Sequence, residues 1–476
     1  MGSVEILFFT LSVAMMVVTF WFLWRQRHYG QTNLLAPASF VMIIFTLQFG
    51  ISNYAAVLFG ENLFYRLAGK ENLLFRTMTI ALGSMILFGI CYLRAFRITL
   101  RRWARRLQEG QVWVRPKLSL IILFYLIGLA ARLIMIRKGV YSYLIMDRYV
   151  FAEQLGSTMI LSRLERLCNF SLIALAITWC VFPKERSFRF WLAVVFIIEI
   201  FFNFLGGTKG LTLINFFYIA VIYWYIKRNF PWKWAVAAVI VWILITPWNL
   251  AYRDQINAGY VETSDFATIT GALTKSFEDA FIPGPVTGPI DQFFKHLKVR
   301  VPLLQEATLV MEYADTVGYL YGEKYLLLPL IAFIPRFIWP TKPVQESGYW
   351  VTREIYGVTL GYSSTAITGI GDFYLDFGII GPLLGFSLWG FFFGWFEARF
   401  RSSSLGILLI GGLYINLITI VGNETFGILG GIIKDLMILL PFAWATGFGL
   451  PFGRRQRRGV KPIKPEGLRY YSQRLQ

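Results

Sequence analysis

The residues best suited to chemistry lie between Ile334 and Phe377, where prolines, glycines and charges interrupt an otherwise apolar chain. Pro335, Pro340 and Pro343 prevent one continuous helix from covering this segment. Irregular backbone that carries charge beside a bilayer is tolerated only where protein buries it or where it lines a watery cavity. The segment is therefore predicted to hold the working site. Its charged candidates are Arg336, Lys342, Glu346, Arg353, Glu354 and Asp372.

Five cations on one predicted side of the membrane suit a phosphate ligand. Arginine pairs with phosphate oxygens in a bidentate, charge-assisted manner. A dry, preorganised group of cations suits a pyrophosphate leaving group, because negative charge develops there as the bond breaks. An adjacent carboxylate (Asp372, Glu354 or Glu346) is a candidate base for an incoming hydroxyl. The alternative is a set of interfacial ion pairs. The cations are Lys209, Arg253, Arg336, Lys342 and Arg353.

The composition indicates an integral membrane protein. The chain has 476 residues, of which 56% are hydrophobic and only 15% are charged. The apolar residues are collected into runs of roughly 17 to 25, the length at which a helix crosses a bilayer. No basic residue precedes the first run, so a cleaved signal peptide is not expected. The three cysteines and two histidines show no metal-ligand spacing, so neither a disulfide framework nor a metal site is expected.

About eleven runs, within a range of about 10 to 14, are predicted to span the membrane as helices. The fold class is therefore an all-α polytopic membrane protein. The predicted spans are Val4–Trp24, Ala38–Phe59, Thr79–Leu93, Leu118–Ile134, Leu161–Phe182, Phe190–Phe204, Leu211–Tyr225, Trp234–Leu250, Phe373–Phe396, Leu405–Val421 and Phe426–Leu450.

Charge fixes the predicted orientation. The net charge of +19 is concentrated in alternate links between the runs and in the C-terminal tail. Lysine and arginine accumulate in cytoplasmic loops, so these links are predicted to be cytoplasmic, with the N-terminus outside and the C-terminus inside. This distribution also explains the positive charge without nucleic acid, which is not expected as a partner.

Four regions are predicted along the chain. Residues 1–250 form an N-terminal bundle of about eight spans, and 251–372 form a large external loop that contains the site. The loop is predicted to contain an amphipathic helix around Leu303–Tyr321, and a short apolar run at Tyr325–Ile338 that either re-enters or lies at the interface. Residues 373–452 add about three spans, and 453–476 form a basic cytoplasmic tail that contacts anionic lipid.

Charges inside apolar runs require partners. Glu199, Lys434 and Asp435 fall within predicted spans, where charged side chains are costly and usually pair or line a functional path. Nearer the outer ends, simpler explanations remain open. Lys209 can snorkel to the interface, and Arg253 can form a local ion pair with Asp254.

Two blocks of the chain carry a family resemblance. IPRFIWPTKP at Ile334–Pro343 is followed by Ser363–Thr365 and by GDFYLDFG at Gly371–Gly378. These blocks resemble the I-P-R-x-x-W-P-x-K-P and G-(E/D)-x-Y-x-x-F-G elements of oligosaccharide repeat unit polymerases of the O-antigen polymerase (Wzy) type. Gly207–Gly210 resembles a G-(S/T)-(R/K)-G element of the same family, with lysine where arginine is frequent. Asp372 stands where glutamate is frequent.

The resemblance implies a lipid-donor glycosyltransferase of GT-C-like fold in a bacterial inner membrane, with a periplasm-facing site. It would transfer a growing glycan from undecaprenyl pyrophosphate onto another lipid-linked repeat unit, in O-antigen or related surface polysaccharide biosynthesis. The expected partners are the lipid-linked oligosaccharide, membrane lipids and a chain-length regulator, and no cofactor or metal is expected.

The resemblance also implies roles for individual residues. Arg336, Arg253, Lys342 and Lys209, together with Arg353, would bind pyrophosphate, and Asp372 would be the base. Tyr374 would contact sugar or phosphate. Stacking on sugar rings, or anchoring at the interface, is expected of the aromatic residues Trp339, Tyr349 and Trp350.

Two other functions remain open from the sequence. An O-antigen ligase uses the same donor but transfers the glycan to lipid A-core. A transporter or flippase of lipid-linked sugars is a different class, and it would be expected to show internal repeats and broken helices at mid-membrane. No such repeat is evident, and the charges collect at one face instead.

Overall fold

The computed structural model describes an all-helical chain, with no strand among the described residues. By length and composition, eight of these helices are long and apolar enough to cross a membrane. The chain is therefore a helical membrane protein. The described residues are 3–28, 34–51, 69–107, 115–141, 148–207, 209–257, 266–281, 303–323, 325, 327, 334, 338–339, 347–357, 366–401 and 403–449.

The first part of the chain consists mainly of long helices. Two of them are irregular, since α2 continues as a π-helical turn and α8 contains Pro247. The helices are α1 (Ser3–His28), α2 (Pro37–Phe45, continuing through Thr46–Ile51), α3 (Glu71–Leu107), α4 (Leu118–Arg137), α5 (Arg148–Val181), α6 (Arg186–Leu205), α7 (Lys209–Lys227) and α8 (Trp232–Asn257).

The second part mixes short helices with three long ones. The short helices lie in the region predicted as the external loop and at its end. The helices are α9 (Phe266–Phe281), α10 (Leu304–Val317), α11 (Ser347–Trp350, continuing through the π-helical Val351–Ile355), α12 (Gly369–Phe377), α13 (Ile380–Phe400), α14 (Ser404–Ile418, continuing through Thr419–Val421) and α15 (Thr425–Thr446).

The helices match most of the sequence prediction. All but one of the predicted apolar runs coincide, within a few residues, with a helix in their described parts, and the amphipathic helix predicted around Leu303–Tyr321 is confirmed as α10. Two details are wrong. The run Phe373–Phe396 is not one helix, because α12 ends at Phe377 and α13 begins at Ile380. Helix α9 was not predicted, and it packs against α8. Most of Tyr325–Ile338 lies outside the described residues.

Close backbone packing explains the break between α12 and α13. Gly378 has a φ of 59°, which a residue with a side chain rarely adopts. A Cβ at Gly381 would lie 2.0 Å from the carbonyl oxygen of Phe373, and one at Gly385 would lie 2.4 Å from the Phe373 ring. The chain therefore folds back sharply, and α12 lies tightly against the first turns of α13.

Small residues also let α13 lie along α3. A Cβ at Gly390 would lie 2.3 Å from the carbonyl oxygen of Phe88, and one at Gly394 would lie 2.3 Å from that of Tyr92. Helices in membranes associate through such small-residue contacts, because lipid offers no hydrophobic driving force between them. The rings of Phe88 and Phe393 meet edge to face at 5.6 Å beside the glycines.

The buried charge of Glu199 has a partner on a neighbouring helix. Arg132 of α4 donates two hydrogen bonds of 2.9 Å to the two carboxylate oxygens of Glu199 on α6. Its Nε donates a third, of 3.1 Å, to Glu165 on α5. Arg132 is 1% exposed and Glu199 is fully buried, so this fork joins α4, α5 and α6 inside the bundle. It satisfies the predicted need of Glu199 for a partner.

This pair yields a stability prediction. Glu199→Ala should destabilise the protein by about 3 to 5 kcal/mol, because it leaves the Arg132 charge buried without its main partner. The double variant Arg132→Met/Glu199→Leu should recover most of that loss, since it removes both charges. Thermal melting of the detergent-purified protein measures both. A double variant less stable than Glu199→Ala would contradict this account.

Candidate functional site

Helix α12 begins at a strained residue. Thr368 has a φ of 64°, and among the described residues it is the one β-branched residue with positive φ. Its hydroxyl oxygen accepts a 3.0 Å hydrogen bond from the amide of Gly371, which caps the helix. Strain of this kind persists only where the surrounding structure enforces it, and it clusters at functional sites. The surrounding structure therefore fixes the backbone conformation at the start of α12.

The two faces of α12 point to different neighbours. Asp372 and Asp376 are four residues apart and share one face of the helix, whereas Tyr374 lies on the opposite side. All three are at most 1% exposed. A Cβ at Gly371 would lie 3.2 Å from Val310 of α10, so that helix covers the Tyr374 side. Each face therefore forms its own polar group.

The Asp372 face joins α12 to the start of α15. One carboxylate oxygen of Asp372 accepts a 2.8 Å hydrogen bond from the amide of Thr425, the first residue of α15. The same oxygen accepts a 3.2 Å hydrogen bond from the Tyr325 hydroxyl. The positive end of the α15 dipole also stabilises a carboxylate at this position.

One described residue of the first motif block lies beside this carboxylate of the second. The Phe426 side chain packs against Tyr325 and Trp339, and the Tyr325 and Phe426 rings lie 6.2 Å apart. Trp339 belongs to the first block and Asp372 to the second. The fold thus brings Trp339 of the first block and Asp372 of the second to the start of α15.

Tyr325 is held in its neutral form. Burial raises the pKa of this phenol well above its ordinary value of 10, and the negative charges of Asp372 and Asp376 raise it further. The side chain is only half-buried, whereas Asp372 is fully buried. Tyr325 is therefore a protonated link between the surface and the Asp372 carboxylate.

The Tyr374 face carries a second polar group. The Tyr374 hydroxyl donates a 2.7 Å hydrogen bond to Asp315 on α10 and accepts one of 2.7 Å from Arg76 on α3. Arg76 also forms an ion pair with Asp315, and Tyr319 donates a 3.1 Å hydrogen bond to the same carboxylate. This group joins α3, α10 and α12 at one end of the bundle.

The Tyr374 group contains residues that the sequence did not indicate. Arg76 is 239 residues from Asp315, and no local spacing connects the two. Asp315 does lie on the predicted amphipathic helix. The charge of Asp315, near the C-terminal end of this helix, was the one feature of the sequence that indicated this group.

The turn after α10 binds the C-terminal end of α12. The amides of Leu320 and Tyr321 donate 3.0 Å hydrogen bonds to the carbonyl oxygens of Leu375 and Asp376 at the end of α12. Gly322 follows with a φ of 74°, and a Cβ there would lie 2.5 Å from the Phe377 ring. The turn therefore fixes the direction in which the chain continues to Tyr325.

The predicted cations are only partly described. Arg353 is exposed and pairs with its neighbour Glu354 at 3.0 Å. Arg253 lies in the last turns of α8, a helix that packs against α7 and α9, whereas α12 packs against α10, α13 and α15. Lys209 is the first residue of α7, and its side chain is not among those that the structure describes.

Several other predicted residues also lie outside the described part. These are Arg336, Lys342 and Glu346, and the side chain of Tyr349. Trp350 packs edge to face against Tyr313 of α10 at 5.2 Å. Within the described residues, no group of three His, Cys, Asp or Glu side chains is arranged to hold a metal ion.

The geometry defines a helical membrane protein with two polar groups on a short, strained helix at one end of the bundle. The chain belongs to the family described as a domain of unknown function (DUF8712), which matches residues 128–420. That range covers α5 to α14 and both motif blocks. Neither a curated protein nor a solved structure matches the chain.

The Tyr374 group yields a pH prediction. Burial raises the pKa of Asp315, but the hydrogen bonds from Arg76 and Tyr374 outweigh it, so the pKa lies below its ordinary value of 3.8. A depressed pKa stabilises the fold above the pKa of the unfolded chain, and that stability is lost as pH falls through the lower, folded value. Wild type should therefore melt above Asp315→Asn at neutral pH, and the difference should shrink below pH 3.8.

The control is a carboxylate outside this group. Glu278 is exposed on α9, so Glu278→Gln should change the melting temperature little at any pH. Melting curves in detergent between about pH 7 and pH 3 make the comparison. A difference between wild type and Asp315→Asn that stayed constant over this range would show that Asp315 ionisation contributes nothing.

Proposed function

We propose that this protein is a polymerase of lipid-linked oligosaccharide repeat units. It transfers a growing glycan from polyprenyl pyrophosphate to another lipid-linked unit, in the synthesis of O-antigen or a related surface polysaccharide. One observation carries the proposal: the two motif blocks converge on the start of α15, where Trp339 packs on Phe426 and Asp372 binds the Thr425 amide. Convergence of separate blocks is what a shared substrate site requires.

In this proposal the cations bind the leaving group. As the glycosyl carbon–oxygen bond breaks, its electron pair goes to the pyrophosphate, whose growing charge is stabilised by fixed positive groups. The cations assigned to this role are Arg336, Lys342, Arg253 and Lys209, with Arg353 beside them. Arginine contributes a planar fork as well as charge. A protein-supplied set of this kind can act without a metal.

The acceptor hydroxyl loses its proton through Tyr325. Because Asp372 is buried and Tyr325 is half-buried, the phenol is the group within reach of a substrate. The acceptor oxygen forms the new glycosidic bond and gives its proton to the Tyr325 oxygen. Tyr325 passes its own proton along the 3.2 Å hydrogen bond to Asp372. Asp372 is thus the final base, as predicted from the sequence, with Tyr325 as the relay.

The proposal includes an orientation in the membrane. The chain would cross a bacterial inner membrane about eleven times, with a GT-C-like arrangement, the N-terminus outside and the C-terminus in the cytoplasm. The start of α3 and the start of α15 both contact α12, so these ends lie on one side. That side would be the periplasmic one, where a chain-length regulator would act.

Deletion of the gene and sizing of the surface polysaccharide tests the function. A polymerase predicts single repeat units on the acceptor and no long chains. The products would differ for the two alternatives: loss of a ligase would leave no repeat on the core, and loss of a flippase would trap units on the cytoplasmic side. Either of these patterns, or unchanged long chains, would overturn the proposal.

Tyr325→Phe tests the proton relay. This change removes one hydroxyl while the Thr425 amide still binds Asp372, so the fold should persist. Chain growth by the purified enzyme should fall by about a hundredfold or more, the scale of losing acid–base catalysis. Tyr321→Phe is the matched control, because Tyr321 is 75% exposed near the same turn. Full activity of Tyr325→Phe at normal protein levels would contradict the relay.

A further inference from the structure

A second set of charges lies deep in the bundle, away from α12. Asp435 of α15 is 2% exposed, and its Oδ2 accepts a 2.8 Å hydrogen bond from the Asn416 amide of α14. It lies about 15 Å along α15 from the start of that helix, at 1.5 Å per residue. Two arginines of α5, Arg163 and Arg166, face the other carboxylate oxygen.

The two arginines are only loosely paired with Asp435. Arg163 Nη1 lies 3.5 Å and Arg166 Nε lies 3.8 Å from Asp435 Oδ1, beyond the usual range for hydrogen bonds between charged groups. Within the described part of the chain, the buried Nε of Arg163 and Asp435 Oδ1 have no hydrogen-bond partner. Two positive forks thus share one carboxylate, and one of them keeps an unused donor.

Exposure shows the side from which a ligand can arrive. The side chains of Arg163 and Arg166 are 27% and 34% exposed, while that of Asp435 is 3% exposed. Further along the same helices the packing is tight, since a Cβ at Gly412 would lie 2.7 Å from Leu439 and 3.3 Å from Phe170. The two arginines are therefore the part of this group that a ligand can reach.

The Arg132–Glu199 pair shows what a closed ion pair looks like in this protein. There the fork makes two 2.9 Å hydrogen bonds to one carboxylate, and both groups are buried. Arg163 and Arg166 differ in distance, in exposure and in having two cations for one anion. Charged side chains within a bundle usually pair or line a functional path, and loose pairing of two cations with one anion favours the second.

We propose that Arg163 and Arg166 form a binding site for a phosphate or pyrophosphate group, with Asp435 as the counter-ion that holds them apart when the site is empty. An anion that carries several oxygens offers each fork acceptors of its own, whereas here both arginines approach the same carboxylate oxygen at 3.5 and 3.8 Å. The group is supplied either by a polyprenyl pyrophosphate or by an anionic lipid head group. This site is separate from α12, and its binding is measurable without glycan transfer.

Binding to the full-length protein in neutral detergent tests the proposal, with radiolabelled farnesyl pyrophosphate as the probe. Arg163→Gln/Arg166→Gln should weaken binding by about tenfold or more, the scale of losing charge-assisted hydrogen bonds. Arg137→Gln is the matched control, because Arg137 is an exposed arginine at the end of α4. It should bind as wild type does.

Asp435→Asn should have the opposite effect on binding of the probe. Asparagine can still accept the Asn416 hydrogen bond but removes the competing negative charge, so the probe should bind severalfold more tightly. If the arginines and Asp435 formed a structural ion pair alone, both changes would lower the melting temperature and neither would alter binding. That result would overturn the proposal. Arg163→Lys/Arg166→Lys keeps the charges should the glutamine variant not fold, and it should still weaken binding because the forks are lost.

Two further comparisons separate this site from other sources of binding. In an Arg336→Ala background, which removes a cation predicted from the sequence, the effect of Arg163→Gln/Arg166→Gln should persist. If Arg336→Ala alone abolished binding, the α5 site would be refuted while the polymerase proposal stood. Competition by inorganic pyrophosphate would identify a pyrophosphate group as the ligand. Competition by phosphatidylglycerol micelles, but not by phosphatidylcholine micelles or pyrophosphate, would identify a lipid head group.

Discussion

The hydrogen bond from the Thr425 amide to Asp372 determines how the site end of the bundle is built. It supplies an acceptor to the first amide of α15, and it fixes one face of α12 against that helix. The opposite face then meets α10 and α3 through Tyr374. Since α12 has only nine residues, it cannot cross a bilayer, and its position depends on such contacts at both faces.

Irregular backbone near lipid needs hydrogen-bond partners within the protein, and the ends of α12 have such partners. Its first turn is capped by the Thr368 side chain, and its last carbonyl oxygens accept amides from the turn at Leu320 and Tyr321. Backbone groups at both ends of α12 thus have protein partners, as irregular backbone near lipid requires. The strained φ of Thr368 follows from this closure, because neighbours on several sides fix where α12 must start.

The sequence predicted the long helices well because apolar length alone decides where a helix can cross lipid. It did not predict the break at Gly378, since the residues on both sides are apolar and the break depends on contacts with Phe373 and Tyr319. Asp372 and Tyr374 could be singled out from their spacing within one block. Arg76 and Asp315 could not, because tertiary folding alone brings residues so distant in sequence together.

For charged residues inside the bundle, the sequence indicates that partners are needed, and the fold determines which partners they have. The sequence shows that Glu199 and Asp435 lie within apolar runs and require partners. Only the fold shows that Glu199 is enclosed by a complete fork, whereas Asp435 is shared between two arginines at longer distances. The first arrangement is closed to a ligand, because both groups are buried. The second leaves two partly exposed arginines at long distances from one carboxylate, so similar residue types form a structural pair in one case and the proposed binding site in the other.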